Sequence, residues 1–289
     1  MRSEGGTHVN KSGHLALGVA LGSAYLSLAP LASTLTLVGF GIGVAAVGIG
    51  SLAPDIDHKT STASKVISPF SPQTRRSLKS VAGVLALIGA LLLTVFLNRR
   101  FGIGIPFEQA VISLPDGLIG SFPFWLAASV FCLLLTKIRD LVLFGVGAFV
   151  LYAWYAYQLH WFFAFLGGAL FILPLVRHRG VIHTPEFAIC LSLGLWSVAS
   201  SGSAFVYASA LGFIIGWWSH LVGDLFGQEG IHSLVVPRLR VALHLFHNGG
   251  HMEKLITRFC WICSTAIWVI YVAMKSSQWV IHAVLQFVR

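Results

Sequence analysis

LASTLTLVGFGIGVAAVGIGSL, residues 31–52, runs without one charged side chain and then stops on Ala53-Pro54-Asp55-Ile56-Asp57-His58. An α-helix that crosses a bilayer needs about 20 apolar residues, with a range of roughly 17–25, and this stretch has that length. Its glycines suit helices packed closely in lipid. The abrupt polar stop matters as much as the run. Two carboxylates and an imidazole lie at the end of a membrane helix, where charge is costly without a partner.

The pattern repeats outward in both directions. Further apolar runs cover residues 16–28, 81–97, 122–136, 141–157, 161–176, 187–200, 205–218 and 259–274. The 289-residue chain is only 10% charged, against roughly a quarter in soluble domains, too little to cover a water-soluble surface. Together these features predict an all-α polytopic transmembrane bundle of about nine spans, one integral membrane domain over residues 1–289. Pro30 splits the first two spans into a hairpin, 15–28 and 33–52. Residues 279–288 are too short to span and are expected at the interface or as a re-entrant piece. Residues 1–13 are polar and no small-residue cleavage site follows the first run, so no cleaved signal peptide is expected.

A net charge of +9 would point to nucleic acid in a soluble protein. In a membrane protein it reads as basic loops facing anionic headgroups and cytoplasm, and no nucleic-acid partner is expected. With nine spans, the loops 1–13, 55–79, 137–140, 177–186 and 224–258 share one side and carry 15 of the 19 Lys and Arg. Arg99, Arg100, Lys275 and Arg289 fall opposite. The rich side is predicted to face the cytoplasm, with the chain in the cell's inner membrane. Cys260 and Cys263 form a C-x-x-C inside an apolar run with no second pair. Like Cys132 and Cys190 they read as small core residues.

The scarce polar residues gather at span ends on that same side. His14 opens the first span, and Asp55, Asp57 and His58 close the second. His178-Arg179-Gly180-Val181-Ile182-His183 precedes the seventh, His220-Leu221-Val222-Gly223-Asp224 closes the eighth, and Gly249-Gly250-His251-Met252-Glu253 leads into the ninth. His220 and Asp224, four apart, share one helical face and can reach one ion. Each piece also has a plainer reading. Asp224 could close a helix, Asp55 and Asp57 could cap one, and the 177–183 basic residues could simply mark the inside. His232, His244, His247 and His251 have no assigned role, and His8, His160 and His282 have no clustered partners.

In order along the chain, Gly13-His14-Leu15, Leu52-Ala53-Pro54-Asp55-Ile56-Asp57-His58, His178-Arg179-Gly180 with His183-Thr184, Ser219-His220 with Asp224, and Gly250 with Glu253 resemble the YdjM-like family of membrane-bound metal-dependent hydrolases. A looser resemblance connects them to zinc-dependent phospholipase C and P1-type nucleases, where scattered His and Asp, an H-x-x-x-D helix among them, hold zinc ions that cleave phosphate esters. The match departs where Thr184-Pro185 replaces a Ser after the His, and where 75–177 holds more apolar spans than the short family form.

The hypothesis that follows is a hydrolase. His14, Asp55, Asp57, His58, His178, His183, His220, Asp224 and Glu253 would supply metal ligands, with Asp57 and Glu253 also catalytic. Arg179 would neutralise a phosphate oxygen through its planar fork. Mixed His and carboxylate ligands suit Zn²⁺ or Mn²⁺, and two or more ions, about 4 Å apart, would clamp both oxygens of a displacement. A site at the cytoplasmic ends of the helices implies membrane lipid as partner and a lipid or lipid-linked phosphoester as substrate. The chain has no Gly-x-Ser-x-Gly and no P-loop. The alternative is a metal transporter or sensor, or a non-catalytic scaffold with structural metal. Transporters place their sites near the midplane between repeated halves, and no repeat is evident here.

Overall fold

The computed structural model describes residues 11–28, 35–57, 67–68, 70–102, 114–176, 180–200, 202–228, 230–236, 238–245 and 250–287; for Asp57 and residues 279–287 it describes the backbone alone. The elements are α1 (Lys11–Leu28), α2 (Leu37–Leu52), a 3-10 turn (Pro54–Asp57), α3 (Pro72–Phe101), α4 (Asp116–Ile119), α5 (Phe122–Thr136), α6 (Ile138–Tyr157) and α7 (Trp161–Ile172). A second 3-10 turn (Val181–His183), α8 (Pro185–Ala199), α9 (Ala204–Phe226), strands β1 (Ile231–His232) and β2 (Arg240–Val241), and α10 (His251–Phe287) complete the described residues. The fold is α-helical, with β1 and β2 forming a small antiparallel ladder.

Each of the nine stretches expected to span contains a helix, though not all of these helices have the length to cross. Among the described residues, five helices are long and apolar enough to cross a membrane: Pro72–Phe101, Asp116–Thr136, Ile138–Tyr157, Ala204–Phe226 and His251–Gln278. The apolar helices α2, α7 and α8 are shorter, at 16, 12 and 15 residues. At 1.5 Å per residue they reach only about 18–24 Å, against a hydrocarbon core of about 30 Å.

Two boundaries differ from the sequence reading, for local reasons. α3 starts inside the segment 55–79 expected to be a loop. There the Ser71 hydroxyl accepts a hydrogen bond from Thr74 N at 3.0 Å and Pro72 occupies the first turn, a favourable helix start. Arg75, Arg76 and Lys79 thus ride on a helix. At the other end, α10 runs unbroken through Lys275-Ser276-Ser277-Gln278 to Phe287, joining the expected ninth span to the 279–288 segment. Polar residues do not break a helix as Gly or Pro does, and neither occurs after Gly250.

The described residues form two compact units, Met1–Ser64 with Gly147–Arg289, and Lys65–Val146. In the second, α3 packs on α5. A Cβ on Gly89 would lie 2.8 Å from the Leu126 side chain, and Ser129 Oγ donates to the Ala82 carbonyl at 2.7 Å. In the first, α1, α2 and α9 pack together, and α10 packs against α1.

Glycine sets the closest of these contacts. A Cβ on Gly212 would meet the Gly43 carbonyl oxygen at 2.2 Å, one on Gly216 the Val47 oxygen at 2.2 Å, and one on Gly50 the Phe213 oxygen at 2.3 Å. Gly212-x-x-x-Gly216 is a small-residue ridge of the kind that lets membrane helices touch backbone to backbone. Leu26, Phe40, Val44, Val47, Leu211 and Tyr271 fill the space around it. Tyr271 Oη donates to the Leu35 carbonyl at 3.2 Å, and Trp268 Nε1 donates to Ser23 Oγ at 3.0 Å.

Candidate metal centre

Four pieces of chain converge at one end of this packing. His14 lies in the first turns of α1, Asp55 in the 3-10 turn after α2, His183 in the 3-10 turn before α8, and His220 and Asp224 in the last turns of α9. α1 and α2 form one antiparallel pair, α8 and α9 another. In each pair the entry of the first helix and the exit of the second fall on the same face, so ligands far apart in sequence meet.

His220 is the centre of the group. Its ring is 1% exposed, and Nδ1 lies 2.8 Å from the Ser51 carbonyl oxygen. A carbonyl only accepts, so Nδ1 donates to it, and Nε2 is the ring nitrogen left to face the carboxylates. Nε2 has no hydrogen bond among the described residues, yet it stands 3.4 Å from Asp224 Oδ2 and 3.9 Å from Asp55 Oδ1. His14 Nε2 is 3.7 Å from Asp224 Oδ1, and His183 Nε2 is 3.9 Å from Asp55 Oδ1. The His14 and His220 rings stack with centroids 4.1 Å apart, and the His183 ring meets His220 at 5.3 Å.

These spacings suit a cation. Two donors each about 2.1 Å from one tetrahedral Zn²⁺ lie about 3.4 Å apart, close to the separations observed. In His14, His220 and Asp224 the donor atoms all lie within 4.8 Å of one another, and so do those of Asp55, His183 and His220. Three imidazoles and two carboxylates form a mixed nitrogen and oxygen donor set. A metal-bound His typically donates its other ring N–H to a carbonyl or carboxylate, and Ser51 accepts from His220 in that way.

Burial is uneven. His14, His183, His220 and Asp224 are nearly inaccessible, whereas the Asp55 side chain is 25% exposed, so it faces the open side. Burial pushes the Asp55 carboxyl upward, but the hydrogen-bonding His183 and the adjacent His220 and His14 rings outweigh it and hold it at about 2. Asp55 is therefore a carboxylate throughout the neutral range.

Small residues make room for the ligands, and the sequence reading missed them. A Cβ on Gly223 would come within 2.7 Å of His14 Nδ1. One on Gly18 would meet Ser51 Oγ at 1.9 Å, disturbing the residue whose carbonyl orients His220. Gly223 lies between His220 and Asp224, so a glycine inside the i, i+4 pair was the available signal. Thr184, where a Ser was expected, accepts from Phe187 N at 3.2 Å and caps α8, with Pro185 in the first turn.

Of the other expected ligands, Glu253 is buried in the first turn of α10, outside both groups of converging donors. His58, His178, Arg179 and the Asp57 side chain lie outside the described residues. His160, expected to have no role in the site, caps α7 and bonds Ser197 Oγ at 3.0 Å. Glu186 takes a role the sequence did not suggest. Its carboxylate accepts from Ser233 Oγ, Leu234 N and Val235 N, pinning the β1–β2 hairpin to the start of α8.

No curated protein and no solved structure matches the chain. The family model described as YdjM inner membrane protein matches residues 9–288, a span that contains every residue of the centre. The chain therefore belongs to the YdjM inner membrane protein family.

Proposed function

We propose that the chain is a membrane-embedded, metal-dependent hydrolase that cleaves a phosphoester of a lipid or lipid-linked substrate at the cytoplasmic face. The observation that carries this reading is the orientation of His220. Its Nδ1–H is committed to the Ser51 carbonyl, and its Nε2 is aimed among two carboxylates in a buried pocket. A buried acceptor with no hydrogen bond is costly, and an ion there offsets that cost.

His14, His183, His220, Asp55 and Asp224 would hold Zn²⁺ or Mn²⁺, which supplies Lewis-acid polarisation of a phosphoryl oxygen and acidifies water toward neutral pH. The two groups of donors share His220 Nε2, which has one lone pair, so they converge on one ion at that nitrogen. A second ion would draw on Asp57, His58, His178 or Glu253. Asp57 or Glu253 takes the proton from the attacking water, and Arg179 holds a phosphate oxygen. Asp55, a carboxylate facing the open side, fixes the ligand geometry where substrate enters.

The test is elemental analysis of detergent-purified protein together with phosphate release from lipid phosphomonoesters. Stoichiometric Zn or Mn and turnover lost in His220→Ala are expected. Protein that neither carries nor takes up metal would sink this reading. Metal uptake into proteoliposomes without hydrolysis would replace it with transport.

A further inference from the structure

We propose that the site binds a substrate with a single hydrocarbon chain, which lies in an apolar cavity beside the metal centre. This rests on the hydrolase reading above for the phosphoester at its head and on the cavity for its tail. The cavity has a volume of ≈ 270 Å³ and is lined by side chains of Ala, Leu, Ile, Phe and Trp only. Ligand cavities typically run from about 300 to 1,000 Å³, so this one has room for one chain rather than two.

Its wall joins the metal centre through three segments. Ala53 and Ile56 bracket Asp55, Ile182 precedes His183, and Trp217 sits one turn before His220 on α9. A chain held there places its head group at the metal ligands. Residues of α7 and α8, Ala169 and Leu191 among them, close the other side.

The lining offers a ligand no polar group, so the cavity takes hydrocarbon alone and the phosphate stays outside it, on the side of the metal ligands. The occupant is therefore a single-chain lipid phosphomonoester, and hydrolysis adds water across its P–O bond to release the lipid alcohol and phosphate.

The experiment uses the full-length protein in nanodiscs and a lysophosphatidic acid with a diazirine at the chain terminus. Adducts are mapped by mass spectrometry, with metal content and phosphate release measured on the same preparations. Adducts on 162–173 and 187–195, displaced by unlabelled lysophosphatidic acid, are expected. Ala169→Trp, which fills the cavity, should cut labelling by about tenfold with metal content retained. If that variant does not purify folded, Leu166→Phe serves in its place. Adducts spread over 261–270 without competition, or equal labelling of the filled variant, would overturn the proposal. Cavity labelling with no phosphate release leaves the chain site standing and removes the hydrolase reading. Phosphate release without cavity labelling does the reverse.

Discussion

Asp224 uses its main chain and its side chain in two ways that the sequence could not separate. The Asp224 main-chain carbonyl closes α9, accepting from Gly227 N and Gly230 N at 3.2 Å, while its carboxylate turns toward His14 and His220. Closing a helix and facing the cluster of imidazoles are therefore both true of this residue, through different atoms. We expect His220→Ala and Asp224→Asn each to lower bound metal strongly. The double variant should lose less than the sum of the two, since each single change already breaks the shared site. Normal metal content across the series, measured by mass spectrometry, would remove the pair from the centre. Gly223→Ala is a more selective probe. Alanine favours a helix interior over glycine by about 1 kcal/mol, so propensity alone predicts a more stable α9. The new methyl, however, would press on the His14 ring. Metal content should fall at least severalfold with helicity by circular dichroism unchanged, and full metal occupancy would show that His14 has room to move aside. The i, i+4 pair was readable because helix geometry alone puts it on one face. Gly223, Gly18 and Ser51 were not, because their part depends on which helix passes opposite.

At the scale of elements, the β1–β2 hairpin is tied to α9 by backbone bonds and to α8 by the Glu186 side chain. Leu234 and Val235 are largely exposed, so burial contributes little to its placement. Its tip is anchored by Glu186, which accepts from one hydroxyl and two backbone N–H groups. Those bonds hold its carboxyl down at about 2 from the ordinary 4.5. A depressed carboxylate contributes stability that is complete above its unfolded value and is lost as pH falls from about 4.5 through about 2. The anchor is thus fully engaged at neutral pH. Glu186→Ala should release the hairpin there, and trypsin should then cut after Arg238 and Arg240 several times faster than in the unaltered protein. Unchanged cleavage rates would mean that the ladder and the Leu243 N and Leu245 N bonds to α9 carbonyls suffice. Hydropathy placed the helices but gave no sign of this hairpin. Residues 224–258 read as one polar loop because two-residue strands carry no periodicity.

Over the whole molecule, the centre is a consequence of helix direction. An antiparallel pair returns its free ends to the face it entered from. α1 brings His14 in at its start and α2 delivers Asp55 beyond its end. α8 starts just after His183 and α9 ends on His220 and Asp224. The order of apolar runs and the side carrying most of the Lys and Arg already imply this face, so the meeting of these segments was legible in the sequence. The closeness of approach was not, because it is set by the glycine contacts between α2 and α9. The same reasoning fixes where the ends of α10 must lie. His251 begins on the ligand side, and the helix then runs through an apolar stretch long enough to cross, which carries Ser276 to the opposite side. In spheroplasts of the inner membrane, Ser64→Cys and Val235→Cys should therefore resist a membrane-impermeant maleimide until the membrane is opened, while Ser276→Cys reacts at once. The native cysteines are replaced by Ser beforehand to keep the signal clean. Reaction of position 64 or 235 from outside, with position 276 protected, would invert the topology and put the centre on the outer face. Reaction of 64 and 235 from different sides would be more damaging. The segment after Asp55 and the hairpin anchored beside His183 would then lie on opposite faces, and the two carboxylates could not serve one ion.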